Sequence, residues 1–492
     1  MNKLTAVIIF SAIGLNLLAC GSGTKGHSTS VTSSQPSSSV TQFSSVEQSS
    51  SVEQSSSASS IAPASWIPIG TATTLPQLII NTTDSLPVVT KDTYLTARYE
   101  LSDIDELPIT GDLKIRGRGN STWDFDKKPY RLRLDKSTSL LGMAANKHWV
   151  LLANMADKTL IRNDVAFTFS RALGSEFTTS DRHIELILNG RYEGVYQLVE
   201  HIRLAKNRIN LPELDAEEED PQLITGSYLL EVDFRMATDL CNFPGASNIF
   251  PTCVDGVNTE RQETYCFDSL HDMPPICAKD PDELLDKARE PQRSYLQQYL
   301  SDTEAALFGA SFTDPDLGYA AYIDVASAVD YYIINEYFKN VDGGVASFFM
   351  YKKRDGKLHF GPIWDFDFGM GNVSYSTVHL AAGWHIRNTP WFARLFEDPA
   401  FQERVKTRWN NLKTQGTFEH LFDYISARAK WLERVQADNF DRWATVQDQP
   451  VFEWRSWFNA TLELPGSYAG EVEKLLNWQR SRYLWMDSEF SK

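Results

Sequence analysis

The sequence predicts an α+β fold, strand-rich in its N-terminal part and helical in its C-terminal part. Short runs of β-branched and aromatic residues recur from Leu78 to Phe360. Two dipeptides among them, Asn189-Gly190 and Asp355-Gly356, are two-residue hairpin signals. From Trp391 onward the chain reads as helices, with Val472, Leu475, Leu476, Tyr483 and Met486 on one stripe.

Ahead of this body lies a short basic start, Met1-Asn2-Lys3, and a mostly apolar run from Leu4 to Leu18 closed by Leu17-Leu18-Ala19-Cys20. That pattern resembles a bacterial lipoprotein signal over 1–20, with Cys20 the lipidated residue. The run is too short for a transmembrane span, so the expectation is an exported body tethered to a membrane by lipid. Gly21 after the cysteine resembles lipoproteins sorted to an outer membrane. Residues 21–65 are low in complexity and carry the repeat Ser45-Val46-Glu47-Gln48-Ser49-Ser50. Such a segment cannot bury enough apolar surface to offset its ordering entropy, and it reads as a flexible Ser-rich linker.

The globular body is expected from about Trp66. Leu78-Ile79-Ile80, Tyr94–Leu101 and Asp112–Arg116 read as strands. Next comes Arg116-Gly117-Arg118-Gly119-Asn120-Ser121-Thr122-Trp123, then Lys127-Lys128-Pro129-Tyr130-Arg131-Leu132-Arg133-Leu134. This is strand, Gly-rich turn and strand, dense in cations. Glycines let backbone amides approach an anion, and guanidinium groups fork onto phosphate. A polar hairpin with a solvated basic face is the plainer alternative. Trp149–Asn154 reads as a buried strand, and a helix following Asp157 should end near Gly174. A hairpin turns at Asn189-Gly190, and Ser227–Val232 is one more strand. Cys241, Cys253, Cys266 and Cys277 share a window rich in Pro, Asp and Asn. In an exported chain this even, local set suggests two disulfides, of open connectivity, stapling a loop-rich insertion at about 239–291. Asp324 is placed to cap a helix whose apolar stripe is Val325, Val329, Tyr332 and Ile333.

Three acids gather after that helix. With Asp355-Gly356 as a two-residue turn, Asp365 falls opposite Ala346, Asp367 opposite Gly344, and Asp342 just beyond the open end. Asp365 and Asp367 flank Phe366 and at period 2 share a face. Gathered carboxylates repel unless a cation or proton sits among them. Asn340 and Asn372 could add oxygens, although Asn beside Gly is also ordinary turn chemistry. Asp367-Phe368-Gly369 spells D-F-G, a tripeptide too short to weigh much alone.

Six motifs in order carry a resemblance. They are Arg116–Trp123, Lys127–Leu134, Leu140-Leu141-Gly142-Met143, Trp149–Asn163, Leu188–Tyr196 and Gly361-Pro362-Ile363-Trp364-Asp365-Phe366-Asp367. Together they resemble the CotH family of atypical kinases, from about Leu75 to Asp487. The resemblance implies a divergent protein-kinase-like, two-lobed fold over 66–415, with 416–492 a helical extension packed on it. It implies ATP, Mg²⁺ or Mn²⁺, and phosphate transfer to protein Ser or Thr. By family position Asp342 resembles the catalytic-loop aspartate and Asp365 the metal aspartate, with Asp367 a second metal candidate. Arg116, Arg118, Arg131 and Arg133 are phosphate-side candidates, of which strand alternation lets only some face a site. Lys128 is the choice for a kinase-like phosphate lysine and Glu200 for its carboxylate partner. Trp364 could stack on adenine, although packing is the more ordinary role for such a residue. One departure is visible: the position five after Asp342, an Asn in ordinary kinases, is Ser347.

A formal net charge of −17 argues against nucleic acid as a partner. A Ser/Thr-rich protein segment, the chain's own linker included, suits the implied activity. Two other classes stay open: a non-catalytic surface adhesin or structural lipoprotein that keeps the fold, and a carbohydrate-active surface protein using paired acids and a tryptophan platform. Two acids on one strand face suit metal sharing better than flanking a sugar ring.

Overall fold

Seven strands close into a barrel in the order β1-β2-β3-β4-β5-β7-β6. They are β1 (Gln77–Thr82), β2 (Leu95–Ser102), β3 (Ile109–Gly117), β4 (Tyr130–Thr138), β5 (Asn146–Leu152), β6 (Asp181–Leu188) and β7 (Arg191–Glu200). This is a computed structural model, which describes residues 74–492 apart from 104–106, 243–245, 251 and 376. The signal-like segment, Cys20 and the Ser-rich linker lie outside the described residues. All neighbouring strands are antiparallel except β6, which runs parallel to β1 and closes the ring. Alternation explains the interior. Ile80, Ile115, Leu132, Trp149, Leu186 and Leu198 point inward and are buried, each aliphatic one contributing ~1.5–3 kcal/mol. The β6–β7 turn is the one expected: Asn189 and Gly190 both have positive φ, 51° and 75°.

The outward residues set up the rest of the molecule. In register, Arg116, Arg131, Val150 and Val199 lie side by side across β3, β4, β5 and β7. Val150 and Val199 belong to the main core shared with the helices, so the arginines of that row stand at the edge of a buried contact. Against this face packs α1 (Arg162–Leu173), which ends at Gly174 with φ 79° as its sequence predicts. Phe169 of α1 meets Tyr337 and Phe338 at centroid distances of 5.5 and 5.2 Å.

A second sheet has the order β11-β12-β8-β13-β14, with β8 (Tyr228–Val232), β11 (Cys266–Phe267), β12 (Ile276–Asp280), β13 (Phe348–Lys352) and β14 (Leu358–Phe360). Between β8 and β11 come α2 (Ala246–Ile249), the small ladder of β9 (Cys253–Val254) and β10 (Val257–Asn258), and α3 (Thr259–Glu263). Both disulfides form, Cys241–Cys253 and Cys266–Cys277. The insertion is less loop-like than its composition suggests, because β12 pairs with β8 and so enters the sheet.

The β13–β14 hairpin corrects a sequence expectation. Met350 pairs with Phe360 and Lys352 with Leu358, one residue out of the predicted register. Asp355 alone takes positive φ (49°) and Gly356 does not, so the loop is longer than a two-residue type I′ turn. Pairing stops at Phe360. Gly361 turns to φ 118° and Pro362 has no N–H to give a ladder. Asp365 and Asp367 therefore lie on no strand, and Asp365 itself has φ 69°.

Helices complete the fold: α4 (Glu290–Phe308), α5 (Val325–Tyr337), α6 (Pro390–Leu395), α7 (Pro399–Thr414), α8 (Thr417–Leu432), α9 (Gln436–Arg442) and α10 (Tyr468–Phe490). Asp324 caps α5 as expected, its carboxylate accepting the Ser327 N–H at 2.8 Å. Leu475 and Met486 of the predicted α10 stripe are fully buried, with Val472, Leu476 and Tyr483 packed beside them. Most of the C-terminal tryptophans are packing residues; Trp457 is 53 % exposed. Among the described residues no helix is long and apolar enough to cross a membrane.

Candidate active site

The loop after α5 carries Asp342. Val345 and Ala346 both donate backbone N–H to the Asp342 carbonyl at 2.8 Å, closing a tight turn. Asn340 braces it: its amide nitrogen reaches Asn335 Oδ1 (3.0 Å) and the Trp364 carbonyl (3.1 Å), while its oxygen accepts the Asp342 N–H (3.3 Å). Asn340 thus ties the two acidic segments together. Asn372 does similar work, donating to the carbonyls of Ala156 and Asp367.

Asp365 accepts from the Ser347 hydroxyl at 3.3 Å, so the position that departs from the kinase pattern holds the metal-candidate carboxylate instead. The Phe366 N–H is held by Asn163 Oδ1 (2.8 Å). Asn163 reaches Asn154, and Asn154 reaches Gln197 of β7, a polar string from barrel to acidic segment. Asp365 and Asp367 line one cleft with Arg118, Lys127, Asn154 and Asn163. Asp367 is 6 % exposed, and its Oδ1 has no hydrogen-bond partner. Burial first, and then the Asp365, Asp157 and Asp342 charges, push its carboxyl well above the usual range. Burial and the Asp365 charge raise Asp342 to about 7, with Arg235 working against the rise. The three acids do gather, although by loops rather than by strand pairing.

Arg118 shares the cleft of Asp365 and Asp367, and Arg116, Arg131 and Arg203 crowd near it. Among the described residues, none of Arg116, Arg118, Arg131 or Arg203 has an acid within ion-pair distance. Arg118 sits 5.6 Å over the Trp364 ring and feels the charges of Asp365 and Asp367. Arg116 bonds the Lys91 carbonyl and lies 4.9 Å over Tyr94. Burial lowers the Arg131 pKa, and Arg116, Arg118 and Arg203 press it further down. Arg133 pairs with His148, whose ring lies 6.3 Å from that of His201. Burial and the surrounding arginines keep both histidines neutral, His148 down to about 3. Half-buried cations crowded in this way lack their counter-anion.

Other expected residues go elsewhere. Lys128 and Glu200 do not meet: Lys128 donates to the Trp123 carbonyl (2.7 Å), and Glu200 pairs with Arg208 (2.8 Å) and accepts the Ser180 N–H. The lysine of the pair that reaches the cleft is Lys127, its ammonium held by Val195 O and Asn439 Oδ1. Trp364 is buried against Phe167 at 5.9 Å, a packing position. Sequence reasoning missed Lys127, Asn154, Asn163, Arg203 and Arg235 as site residues. A polar residue closing an apolar run, as in Leu151-Leu152-Ala153-Asn154, was the available signal for Asn154.

Asp164, Asp181 and His183 also bring ligand atoms within 4.8 Å of one another. Arg428 and Tyr424 engage Asp164 there, and Arg171 and Gln197 engage Asp181. Two guanidiniums offset two carboxylates, so this cluster is an ion-pair network joining α1, β6 and α8. A larger cavity of about 190 Å³ lies behind the hairpin, lined by Glu176, Asp324, Tyr351 and His359, away from the arginines.

A cleft lined by Asp365, Asp367, Arg118 and Lys127, with the Asp342 charge close to Asp365 and more arginines crowded together near Arg118, suits a metal-bound polyphosphate. No curated protein sequence matches the chain. A family model described as CotH kinase protein matches residues 115–486, a span from β3 through most of α10. The chain belongs to the CotH kinase protein family.

Proposed function

We propose that this protein transfers the terminal phosphoryl group of ATP to Ser or Thr hydroxyls of a protein substrate, with Mg²⁺ or Mn²⁺, from a lipid anchor on a bacterial membrane. The single observation that supports the reading is Arg118 in one cleft with Asp365 and Asp367, with Arg116, Arg131 and Arg203 crowded near it. In a protein of net charge −17 such a cluster calls for an anion. The barrel and the helical body act as the two lobes of a divergent kinase, with the cleft between them.

The acids fit a divalent metal. Asp367 Oδ1 is buried without a donor, and burial together with the Asp365 charge raises the proton affinity of Asp367 in a way a cation would relieve. Asp365, with Asp367, would hold the ion. When bound, it neutralises charge on the phosphates and orients them. Arg118, Arg131 and Arg116, with Arg203, hold the polyphosphate against the barrel. Asp342 accepts the hydroxyl proton as the acceptor oxygen bonds to phosphorus and the diphosphate leaves with the electron pair. The acceptor is a Ser/Thr-rich segment, and the chain's own linker at 21–65 is one such segment.

The test is transfer from labelled ATP to a Ser-rich peptide and to the protein itself, with Mn²⁺ or Mg²⁺. Asp342→Asn should lower kcat by ~10²–10⁴-fold with ATP binding retained. Asp365→Asn should abolish metal-dependent ATP binding. A wild-type protein that neither binds ATP with metal nor transfers phosphate would remove the reading.

A further inference from the structure

We propose that the Arg235 guanidinium is a catalytic residue that binds the phosphoryl group as it passes to the acceptor held at Asp342. This rests on the phosphoryl-transfer reading above. Arg235 lies outside the six family-like motifs, in the short turn Phe234–Met236 that follows β8 and opens the disulfide-bonded insertion. That turn is fixed over the Asp342 loop. Phe234 N–H donates to the Val345 carbonyl (2.9 Å), and Asp233 N–H donates to the Pro275 carbonyl (3.0 Å). The Arg235 carbonyl in turn accepts from Asn258 (2.7 Å).

The side chain is fixed too. Asp233 Oδ1 accepts the Arg235 backbone N–H (2.9 Å) and Nε–H (2.7 Å), while Oδ2 accepts Nη2–H (2.7 Å). One carboxylate is therefore both the cap of the turn and the orienter of the guanidinium. On the other side Nη1 and Nη2 meet the side-chain amide of Asn120 in the Gly-rich turn, whose oxygen accepts from both once the amide is oriented with that oxygen toward them. The guanidinium thus reaches the Gly-rich turn of the barrel, while the backbone turn that carries it is bonded to the loop of Asp342. One Nη1 N–H bond remains for an incoming oxygen.

Position separates Arg235 from the barrel arginines. Those lie along β3 and β4 or after β7, where they neutralise a polyphosphate equally before and during transfer. Arg235 is the cation whose charge acts on Asp342, which places it on the acceptor side. Charge on the three equatorial oxygens of the group in flight passes that side, so a preorganised donor there favours the transition state over the bound ground state. In the step, the acceptor O–H gives its proton to Asp342 and its oxygen bonds to phosphorus. The bond from phosphorus to the diphosphate oxygen breaks, and its electron pair leaves with the diphosphate. Arg235 donates N–H bonds throughout and keeps its protons.

The experiment compares wild type, Arg235→Ala and Arg235→Lys. It measures steady-state transfer to a Ser-rich peptide and calorimetric affinity for ATP and for ADP with aluminium fluoride, all with Mn²⁺. Arg235→Ala should lose at least ~100-fold in kcat with ATP affinity within ~3-fold of wild type. Its affinity for ADP with aluminium fluoride, which mimics the group in flight, should fall in step with kcat. Arg235→Lys should lie between, and added guanidinium ion should restore part of the Arg235→Ala rate, which a merely structural role would not allow. Should Arg235→Ala lose its cooperative melting transition, Arg235→Lys carries the same expectations at a smaller loss. An active wild type with an equally active variant, or a kcat loss matched by the loss in ATP affinity, overturns the proposal and leaves the phosphoryl-transfer reading standing. An inactive wild type removes both.

Discussion

Arg482→Ala is expected to destabilise the protein by ~3–5 kcal/mol, the cost of breaking a buried ion pair from one side. Arg482 of α10 and Glu336 of α5 are both fully buried. The guanidinium donates to Glu336 Oε1 (2.6 Å) and to the Glu336, Ala381 and Gly383 carbonyls (2.8 Å each). Removing it strands one carboxylate and three carbonyls away from water. The carboxylate keeps N–H bonds from His385 and Arg387 (2.9 Å each), which offsets part of the loss and favours the lower end of the range. Urea unfolding with its m-value measures the effect. The double variant Arg482→Met with Glu336→Leu removes both charges and should cost less than the single change. Glu336 lies one short loop before Asp342, so Arg482→Ala should also lower transfer activity at temperatures where the protein is still folded. A loss below ~1 kcal/mol for Arg482→Ala would refute the claim that this pair holds α10 to the helix behind the active site.

Two further expectations concern stability. Burial would raise the Asp164 carboxyl, but the Arg428 guanidinium overcomes it and holds the group below its ordinary value, at about 2. Its contribution, on the order of 2 kcal/mol, is therefore complete above pH ~4 and lost as pH falls towards 2. Asp181 runs the other way: burial and Asp164 raise it, so its share is complete below its ordinary value and fades as pH rises through about 6. Denaturation between pH 2 and 4 should be steep in wild type and shallow in Asp164→Asn; equal slopes would contradict the assignment. Reducing the two disulfides, whose cysteines are separated by 12 and 11 positions, should remove about 3 kcal/mol each in the loop-entropy account. Hydrogen exchange should then quicken in β9 to β12 while the barrel stays protected, and an unchanged exchange pattern would count against a stapling role.

Much of the fold was legible because its signals are local. Strand alternation marked β1, β2, β3 and β4, and Asn189-Gly190 marked the β6–β7 turn. Asp324 and Gly174 marked helix ends. Barrel closure was not legible, since β6 meets β1 across about a hundred residues and that pairing leaves no mark in either strand alone. The hairpin register failed for a different reason. Asp-Gly permits a two-residue turn but does not compel one, and the structure puts only Asp355 at positive φ.

At the site the division is similar. The sequence by itself determined which residue types were present: acids at Asp342, Asp365 and Asp367, arginines around the Gly-rich turn, and the ordered motifs of the CotH kinase protein family. Tertiary structure decided which of them face one another. It sent Lys128 and Glu200 to separate partners and brought Lys127 to the cleft. It also seated Arg235, from the root of the insertion, between Asn120 and the Asp342 loop. The physical reason is that the type and spacing of residues fix local conformation and charge, whereas encounters between distant segments depend on how the barrel and the helices bury their apolar faces.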